Sequence, residues 1–420
     1  MAMGRTPAWT AMMGVDIERI AAGGAGIGRL PNGKAVFVPR TAPGDRVRVA
    51  ISREKNRWAE ARPLAFDAYG PDRTQAQCVH YARDACGGCQ IQHLEYAAQT
   101  AVKSRLIGDA LRRIGKRDLP DPPVDPAPEP WRYRSKITMA AEPERGAIGL
   151  HRWDTPETLF EPDDCLITRE SVMTLWRKIR HARDLLPADL DQLVLREDRD
   201  RRLHAMVISS SPWNAEPLAA HLADPTISLW WKPVRGAARV LAGPERGFPA
   251  TAFEQSSPDL AGRIRLSAVE FVAPAPGASV WDLYGGVGDT ARLLVERGAA
   301  VWSVDSDRRA HAWAKRVPVV EAGTVRFVTG RVEDVLNTLP SPRGIVLNPP
   351  RSGVTDGVAG SIDRLGREGT PRMAYISCDP ATLARDLRRL PAWLVVDLRG
   401  FDLFPQTSHV ETLALLEARR

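Results

Sequence analysis

Val280-Trp281-Asp282-Leu283-Tyr284-Gly285-Gly286-Val287-Gly288-Asp289-Thr290 is the stretch that decides the fold. An apolar, strand-like run enters a glycine-rich turn, and residues 291–297 continue with helical spacing. A second strand, Ala300-Val301-Trp302-Ser303-Val304, ends at Asp305. This predicts an α/β doubly wound, Rossmann-like sheet in the last third of the chain. Glycines at the strand-to-helix turn let a cofactor approach the backbone, and a carboxylate closing the next strand can bind ribose hydroxyls. Gly286-x-Gly288-x-x-Ala291, with Asp305 seventeen residues after Gly288, also fits a dinucleotide fingerprint, so NAD and S-adenosylmethionine are both open at this point.

Downstream lie three further motifs. Ile345-Val346-Leu347 runs into Asn348-Pro349-Pro350-Arg351, a rigid polar platform at a strand end suited to orienting a planar base. Met373-Ala374-Tyr375-Ile376 ends in Ser377-Cys378-Asp379-Pro380 and turns into a helix carrying Leu383 and Leu387. Cys378 therefore stands at the carboxyl edge of a sheet, where open α/β sheets bind ligands, and is a candidate nucleophile. The third motif is Phe404-Pro405-Gln406-Thr407-Ser408-His409-Val410-Glu411.

Upstream, residues 14–65 alternate with period two between glycine- and proline-containing turns, which predicts a small β-barrel. Arg46, Arg48, Arg53, Lys55 and Arg57 are candidates for a phosphate-binding face on it. Beyond a polar linker come Cys78 and Cys86-Gly87-Gly88-Cys89; with Cys165 and Cys378 they complete the chain's five cysteines. An odd count containing a C-x-x-C argues for metal binding or catalysis over a disulfide framework. Setting Cys378 aside leaves Cys165, or in its place His80 or His93, as fourth ligand to a metal shared with Cys78, Cys86 and Cys89. Spacing alone leaves zinc and an iron–sulfur cluster open. Trp131-Arg132-Tyr133-Arg134-Ser135-Lys136 interleaves aromatics with cations, a pattern that can stack bases and hold phosphates. Trp213, Trp230 and Trp231 are read as packing residues.

The 420 residues are too many for one ordinary domain, and 44% apolar content is ample for real cores. A net charge of +7 suits a polyanionic partner. No run approaches the roughly 18 apolar residues of a membrane span, and residues 1–14 lack a long apolar core, so a cytoplasmic protein is expected.

Gathered together, these motifs resemble the RNA uracil-5-methyltransferase family along nearly the whole chain. The resemblance implies an N-terminal, OB-like TRAM barrel (residues 8–66) for RNA binding, an α+β central domain with a four-cysteine site (67–250), and a class I methyltransferase domain (251–420). It implies S-adenosylmethionine as methyl donor, held by Gln255 in Phe253-Glu254-Gln255, Tyr284, Asp289, Asp305 and Asn348. Cys378 falls on the family's nucleophile and Glu411 on its base. Cys78, Cys86, Cys89 and Cys165 fall on the ligands of a four-iron four-sulfur cluster, in preference to zinc. The partner implied is tRNA or ribosomal RNA; a monomer is taken as the default, since nothing in the sequence reports the oligomeric state.

The chemistry accounts for these residue types. Carbon 5 of uracil attacks a sulfonium methyl too weakly unless a thiolate first adds to carbon 6, and a carboxylate must then remove the hydrogen at carbon 5. The chain departs from the family pattern in three places. Asn348 stands where Asp is usual and lacks its charge, Asp379 stands where Asn is customary and is expected to raise the Cys378 pKa, and the gap from Cys78 to Cys86 is long. Two alternatives follow: an amino-methylating RNA methyltransferase, with Cys378 structural, and a metal-containing RNA-binding protein with a decayed catalytic domain. An NAD-dependent oxidoreductase is a more distant one.

Overall fold

The computed structural model describes residues 13–419 apart from positions 143, 145, 246, 253 and 319–321, and strand counts below are those of the described residues. Phe253 and residues 8–12 of the expected barrel lie outside them. Among the described residues no helix is long and apolar enough to cross a membrane.

The alternating N-terminal segment forms a closed barrel in which Met13–Ile20, Gly26–Arg29, Ala35–Val38, Trp58–Ala68 and Arg46–Glu54 follow one another around the wall. Period-two alternation sends Val15, Ile17, Val36, Val38, Val47 and Val49 inward, where all are buried. The cations between them face out and are largely paired: Arg46 with Asp16 at 2.9 Å, Arg48 with Asp67 at 2.9 Å and Arg53 with Glu60 at 3.9 Å. These exposed pairs are worth little individually and leave the face accessible to phosphates.

A seven-stranded mixed sheet follows, ordered Arg239–Ala242, Ser228–Pro233, Leu203–Ser209, Leu190–Glu197, Lys136–Glu142, Ala147–His151 and Leu159–Phe160. The helix Glu170–His181 buries Val172, Met173, Leu175, Trp176 and Ile179, the stripe expected at helical spacing. Trp213, Trp230 and Trp231 are buried, as packing residues should be.

The C-terminal sheet has eight strands. Its order is Thr324–Thr329, Ala300–Asp305, Ser279–Leu283, Gly344–Leu347, Arg372–Ser377, Glu411–Ala418, Trp393–Phe401 and Val124–Asp125. The first five are parallel and Glu411–Ala418 runs against both its neighbours. Strand order reverses between Ser279–Leu283 and Gly344–Leu347, so a ligand crevice is expected at their carboxyl ends.

Two pieces of the middle sequence belong to this sheet's surroundings. The helix Tyr96–Arg113 places Ile107 and Leu111 in the core with Trp281, Tyr375 and Leu387, and Val124–Asp125 pairs in parallel with the edge strand at Gly400 and Phe401. The proline-rich connector thus supplies a strand as well as a link. Gln99 and Gln406, 307 positions apart, exchange hydrogen bonds: Gln99 Nε2 donates to Gln406 Oε1 at 3.0 Å, and the Gln406 amide donates to Gln99 Oε1 at 2.9 Å.

Candidate active site and cysteine cavity

Antiparallel pairing brings the two candidate reactive residues together. The last pair of the ladder is Ser377 with Thr412, and Cys378 and Glu411 are the next residues outward on their two segments, near enough that the Glu411 charge acts on the thiol. Glu411 is buried, and burial pushes its pKa up to about 7 against two opposing influences, a hydrogen bond from Gln255 and the charge of Arg351. Its Oε2 has no hydrogen-bond partner. An orphan acceptor in a buried carboxylate is costly unless something arrives to use it. Burial and then the Glu411 charge raise the Cys378 pKa, while the Arg351 guanidinium, by charge and by hydrogen bond, lowers it.

Asp379 behaves differently from the sequence expectation. Its Oδ1 accepts the Thr382 amide at 2.7 Å and caps the helix Pro380–Arg388, whereas the negative charge that raises the thiol pKa is that of Glu411. A capping carboxylate points along the helix axis toward free amides. Arg351 is the residue that the sequence reading passed over. Its signal was present: it directly follows the rigid Pro349-Pro350 pair that aims it from the neighbouring strand end.

The glycine turn is shaped for a cofactor. Gly285 packs so tightly that a Cβ there would lie 2.3 Å from Ser303 Oγ and 2.4 Å from Asp282 Oδ2. Asp282, fully enclosed, accepts Ser303 Oγ at 2.8 Å, and burial pushes its pKa up to about 7. Tyr284, Gly286 and Gly288 all have positive φ (60°, 55° and 77°), and a Cβ on Gly286 would meet nothing within 4 Å, so the turn faces open space there. Asp305 Oδ2 accepts the Gly286 amide at 2.8 Å, which ties the second strand's terminal carboxylate to the turn. Asn348 is half-buried across the crevice, its amide donating to Leu283 O at 3.1 Å. Asp289 opens the helix Asp289–Glu296. Burial opposes its ionisation, but Arg199, by hydrogen bond and charge, together with the charges of Arg265 and Arg292, holds its pKa below the ordinary value.

Cys78, Cys86, Cys89 and Cys165 all line one cavity of about 90 Å³, with Tyr81, Gln92 and Arg134. Among the described residues no three or more His, Cys, Asp or Glu side chains are set to hold a single metal ion. The thiols therefore surround a common space without converging on one point. His80 also lines the cavity, but both its ring nitrogens are engaged, Nδ1 with Asp84 at 2.6 Å and Nε2 with the Asp163 amide at 3.2 Å. His93 lies between Tyr81 Oη at 2.5 Å and Thr41 O at 3.0 Å. Burial raises the pKa of the Cys78, Cys86 and Cys89 thiols, Cys86 to about 11. Arg40, reaching from the barrel to Cys86 O at 2.5 Å, is the nearby positive charge that would offset thiolates.

The aromatic and basic run before the middle sheet is partly committed inside the protein. Arg132 braces the Cys165 loop through Asp164 at 2.6 and 2.8 Å, and Tyr133 Oη donates to Pro405 O at 2.9 Å. Of its cations, Arg134 and Lys136 are exposed.

The strand order and glycine turn define the class I methyltransferase fold. A TRAM domain model matches residues 12–64, and a tRNA (uracil-5-)-methyltransferase model matches residues 330–419. The 23S rRNA (uracil(1939)-C(5))-methyltransferase RlmD of Halomonas elongata is 30% identical, the match covering 96% of this chain and 88% of that protein. An uncharacterized RNA methyltransferase of Streptomyces coelicolor is also 30% identical, over 96% and 92%. The crystal structure of the Pyrococcus abyssi tRNA (uracil-54, C5)-methyltransferase in complex with S-adenosyl-L-homocysteine superposes with a TM-score of 0.74 at 23% identity, covering 96% of this chain and 99% of that one. The chain belongs to the RNA (uracil-5-)-methyltransferase family, whose enzymes depend on S-adenosylmethionine.

Proposed function

We propose that the protein forms 5-methyluridine in ribosomal or transfer RNA through a covalent adduct between Cys378 and carbon 6 of the target uracil. The observation that carries this reading is that Cys378 and Glu411 lie just beyond the last pair of one antiparallel ladder, the Glu411 charge acting on the thiol and one of its carboxylate oxygens left unpartnered. S-adenosylmethionine, when bound, supplies the methyl group; Gln255, Tyr284, Asp289, Asp305 and Asn348 are the residues that would hold it.

Arg351 favours the Cys378 thiolate, whose lone pair forms the S–C6 bond and pushes the C5–C6 π electrons onto the ring as an enolate. Carbon 5 then takes the methyl group. Glu411 Oε2 removes the proton from carbon 5, the C5–C6 double bond re-forms, and the S–C6 bond breaks to return the thiolate. Gln255 holds the other end of the Glu411 carboxylate. A stacked base cannot reach the thiol, so the uridine is flipped or already unpaired, with the barrel, Arg134 and Lys136 gripping the flanking strand. Similarity to ribosomal RNA enzymes over the full length favours a ribosomal target.

Cys78, Cys86, Cys89 and Cys165 are read as ligands of a four-iron four-sulfur cluster. What supports this reading is that all four thiols line one cavity, the donor set that a four-iron four-sulfur cluster takes. Bound there, it would brace the loops of residues 78–91 and 161–168. In this reading residues 8–66 bind RNA, 67–250 carry the cluster and lend the helix Tyr96–Arg113 to catalysis, and 251–420 catalyse, in a cytoplasmic monomer.

The test is a denaturing gel after incubation with S-adenosylmethionine and 5-fluorouridine-substituted RNA. Fluorine at carbon 5 cannot leave as a proton, so a slow-migrating covalent band should form that needs both the donor and Cys378. No band from wild-type protein that binds RNA and donor would sink the covalent mechanism and favour amine methylation or a non-catalytic RNA binder.

A further inference from the structure

Arg199 stands where the middle sheet meets the donor crevice. It lies in the turn between the strands Leu190–Glu197 and Leu203–Ser209, two residues before Arg201, whose φ is 64°. Asp198 fixes this turn by accepting the Asp200 and Arg202 amides, both at 2.9 Å, and His204 Nε2 at 2.9 Å.

From that rigid support Arg199 reaches two segments of the C-terminal region at once. Its Nη1 and Nη2 donate to the two carboxylate oxygens of Asp289 at 3.0 and 3.1 Å, and its Nε donates to Glu254 Oε1 at 2.8 Å. The guanidinium also lies 4.3 Å from the Phe248 ring centroid and 5.2 Å from that of Trp313. Three residues earlier, on the strand itself, Arg196 holds the same segment through Ala250 O at 2.7 Å, Ala252 O at 2.6 Å and Glu254 Oε2 at 2.5 Å. Glu254 directly precedes Gln255, and Asp289 directly follows the glycine turn. A planar fork that satisfies a carboxylate with two bonds fixes orientation as well as distance. Surface ion pairs rarely matter, but this one is braced on both sides and its side chain is only 30% exposed.

We infer that Arg199 is a positioning residue for the methyl donor: from the middle sheet it sets the start of the Asp289–Glu296 helix and the Glu254–Gln255 segment into the geometry that receives S-adenosylmethionine. This rests on the donor-site reading above. It follows that Asp289 serves the donor through the position of its backbone, since its carboxylate is taken. It follows too that the donor site is completed by a part of the chain outside the methyltransferase fold.

The experiment is calorimetric titration of the full-length protein with S-adenosylhomocysteine, paired with steady-state turnover, for wild type, Arg199→Met, Arg199→Lys, Asp289→Asn and the double variant Arg199→Met/Asp289→Asn. Arg199→Met should weaken binding about tenfold or more and raise the donor KM in step, with kcat at saturating donor within about twofold. Arg199→Lys, which keeps charge but not the fork, should fall between. The double variant should bind no worse than Arg199→Met alone, because the two groups act as one unit. Should Arg199→Met fail to fold, Asp289→Asn carries the same expectation from the other side of the contact. Binding within about twofold of wild type in both single variants would overturn the inference. Wild type that does not bind S-adenosylhomocysteine would instead overturn the donor-site reading, and the inference with it.

Discussion

Lys103 Nζ donates to Asp402 Oδ1 at 2.5 Å, and neither side chain has any exposed surface. Lys103 also donates to Phe404 O at 3.0 Å, so this single ammonium holds the beginning of the loop that ends at Glu411. Removing one partner leaves a buried charge without compensation. Lys103→Met is therefore expected to cost about 3–5 kcal/mol in urea unfolding, and the further change Asp402→Asn to restore much of it. A loss below about 1 kcal/mol would mean that water reaches the pair.

Glu411 should govern the pH response. Its carboxyl ordinarily titrates near 4.5, and burial moves it to about 7 in the folded protein. A raised carboxyl pKa means that the folded state binds the proton more tightly than the unfolded chain. Stability from this group is thus full below its ordinary pKa and declines as pH rises toward 7, by about 3 kcal/mol in all. Glu411→Gln should consequently be more stable than wild type above neutrality. It should also accumulate the covalent adduct with natural RNA, because nothing removes the proton at carbon 5. Wild-type turnover should rise with pH through about 7. A flat profile there would assign the base elsewhere.

Burial and the Glu411 charge raise the Cys378 pKa, and Arg351 lowers it against them. Arg351→Met removes the charge that lowers the thiol pKa, leaving burial and Glu411 unopposed. Alkylation of Cys378 by iodoacetamide, followed by peptide mass spectrometry to separate it from the other four cysteines, should slow several-fold near pH 8. Arg351→Lys should retain most of the rate. An unchanged rate in Arg351→Met would show that the guanidinium does not act on the sulfur.

Gly285→Ala tests the turn. The added methyl would lie 2.3 Å from Ser303 Oγ and 2.4 Å from Asp282 Oδ2, too close for either to remain. Overpacking of this kind costs about 1–3 kcal/mol, and the displaced turn should bind S-adenosylhomocysteine at least about tenfold more weakly. Binding at wild-type strength would place the ligand away from this loop.

Much of this was legible in local sequence. The barrel and the C-terminal sheet declare themselves through period-two alternation and short apolar runs punctuated by glycine, which report backbone geometry directly. Cys378 could be singled out because it follows a strand-like run, and Glu411 because it closes the Phe404–Glu411 motif and falls on the base of the family the chain resembles. What could not be read is how distant side chains meet. Nothing in the pattern around Gln255 says that it hydrogen-bonds Glu411, and nothing around Asp198 says that the next residue grips Asp289. The helix Tyr96–Arg113 shows its apolar stripe plainly, but a stripe does not name the sheet it covers. Asp379 misled for the same reason: charge beside a thiol was evident, whereas the amide that claims it depends on a turn.

The reciprocal bonds between Gln99 and Gln406 have a consequence for how the protein comes into being. Their 307-residue separation means that a ribosome adding about 5–20 residues each second leaves the helix Tyr96–Arg113 waiting roughly 15 to 60 s for the strands it covers. Until the last part of that interval Ile107 and Leu111 lack Tyr375, Leu383 and Leu387 of the core they share. The nascent chain is accordingly open to capture by chaperones, and a shortened chain lacking its last strands would not only be inactive but would carry an uncovered apolar helix near its beginning.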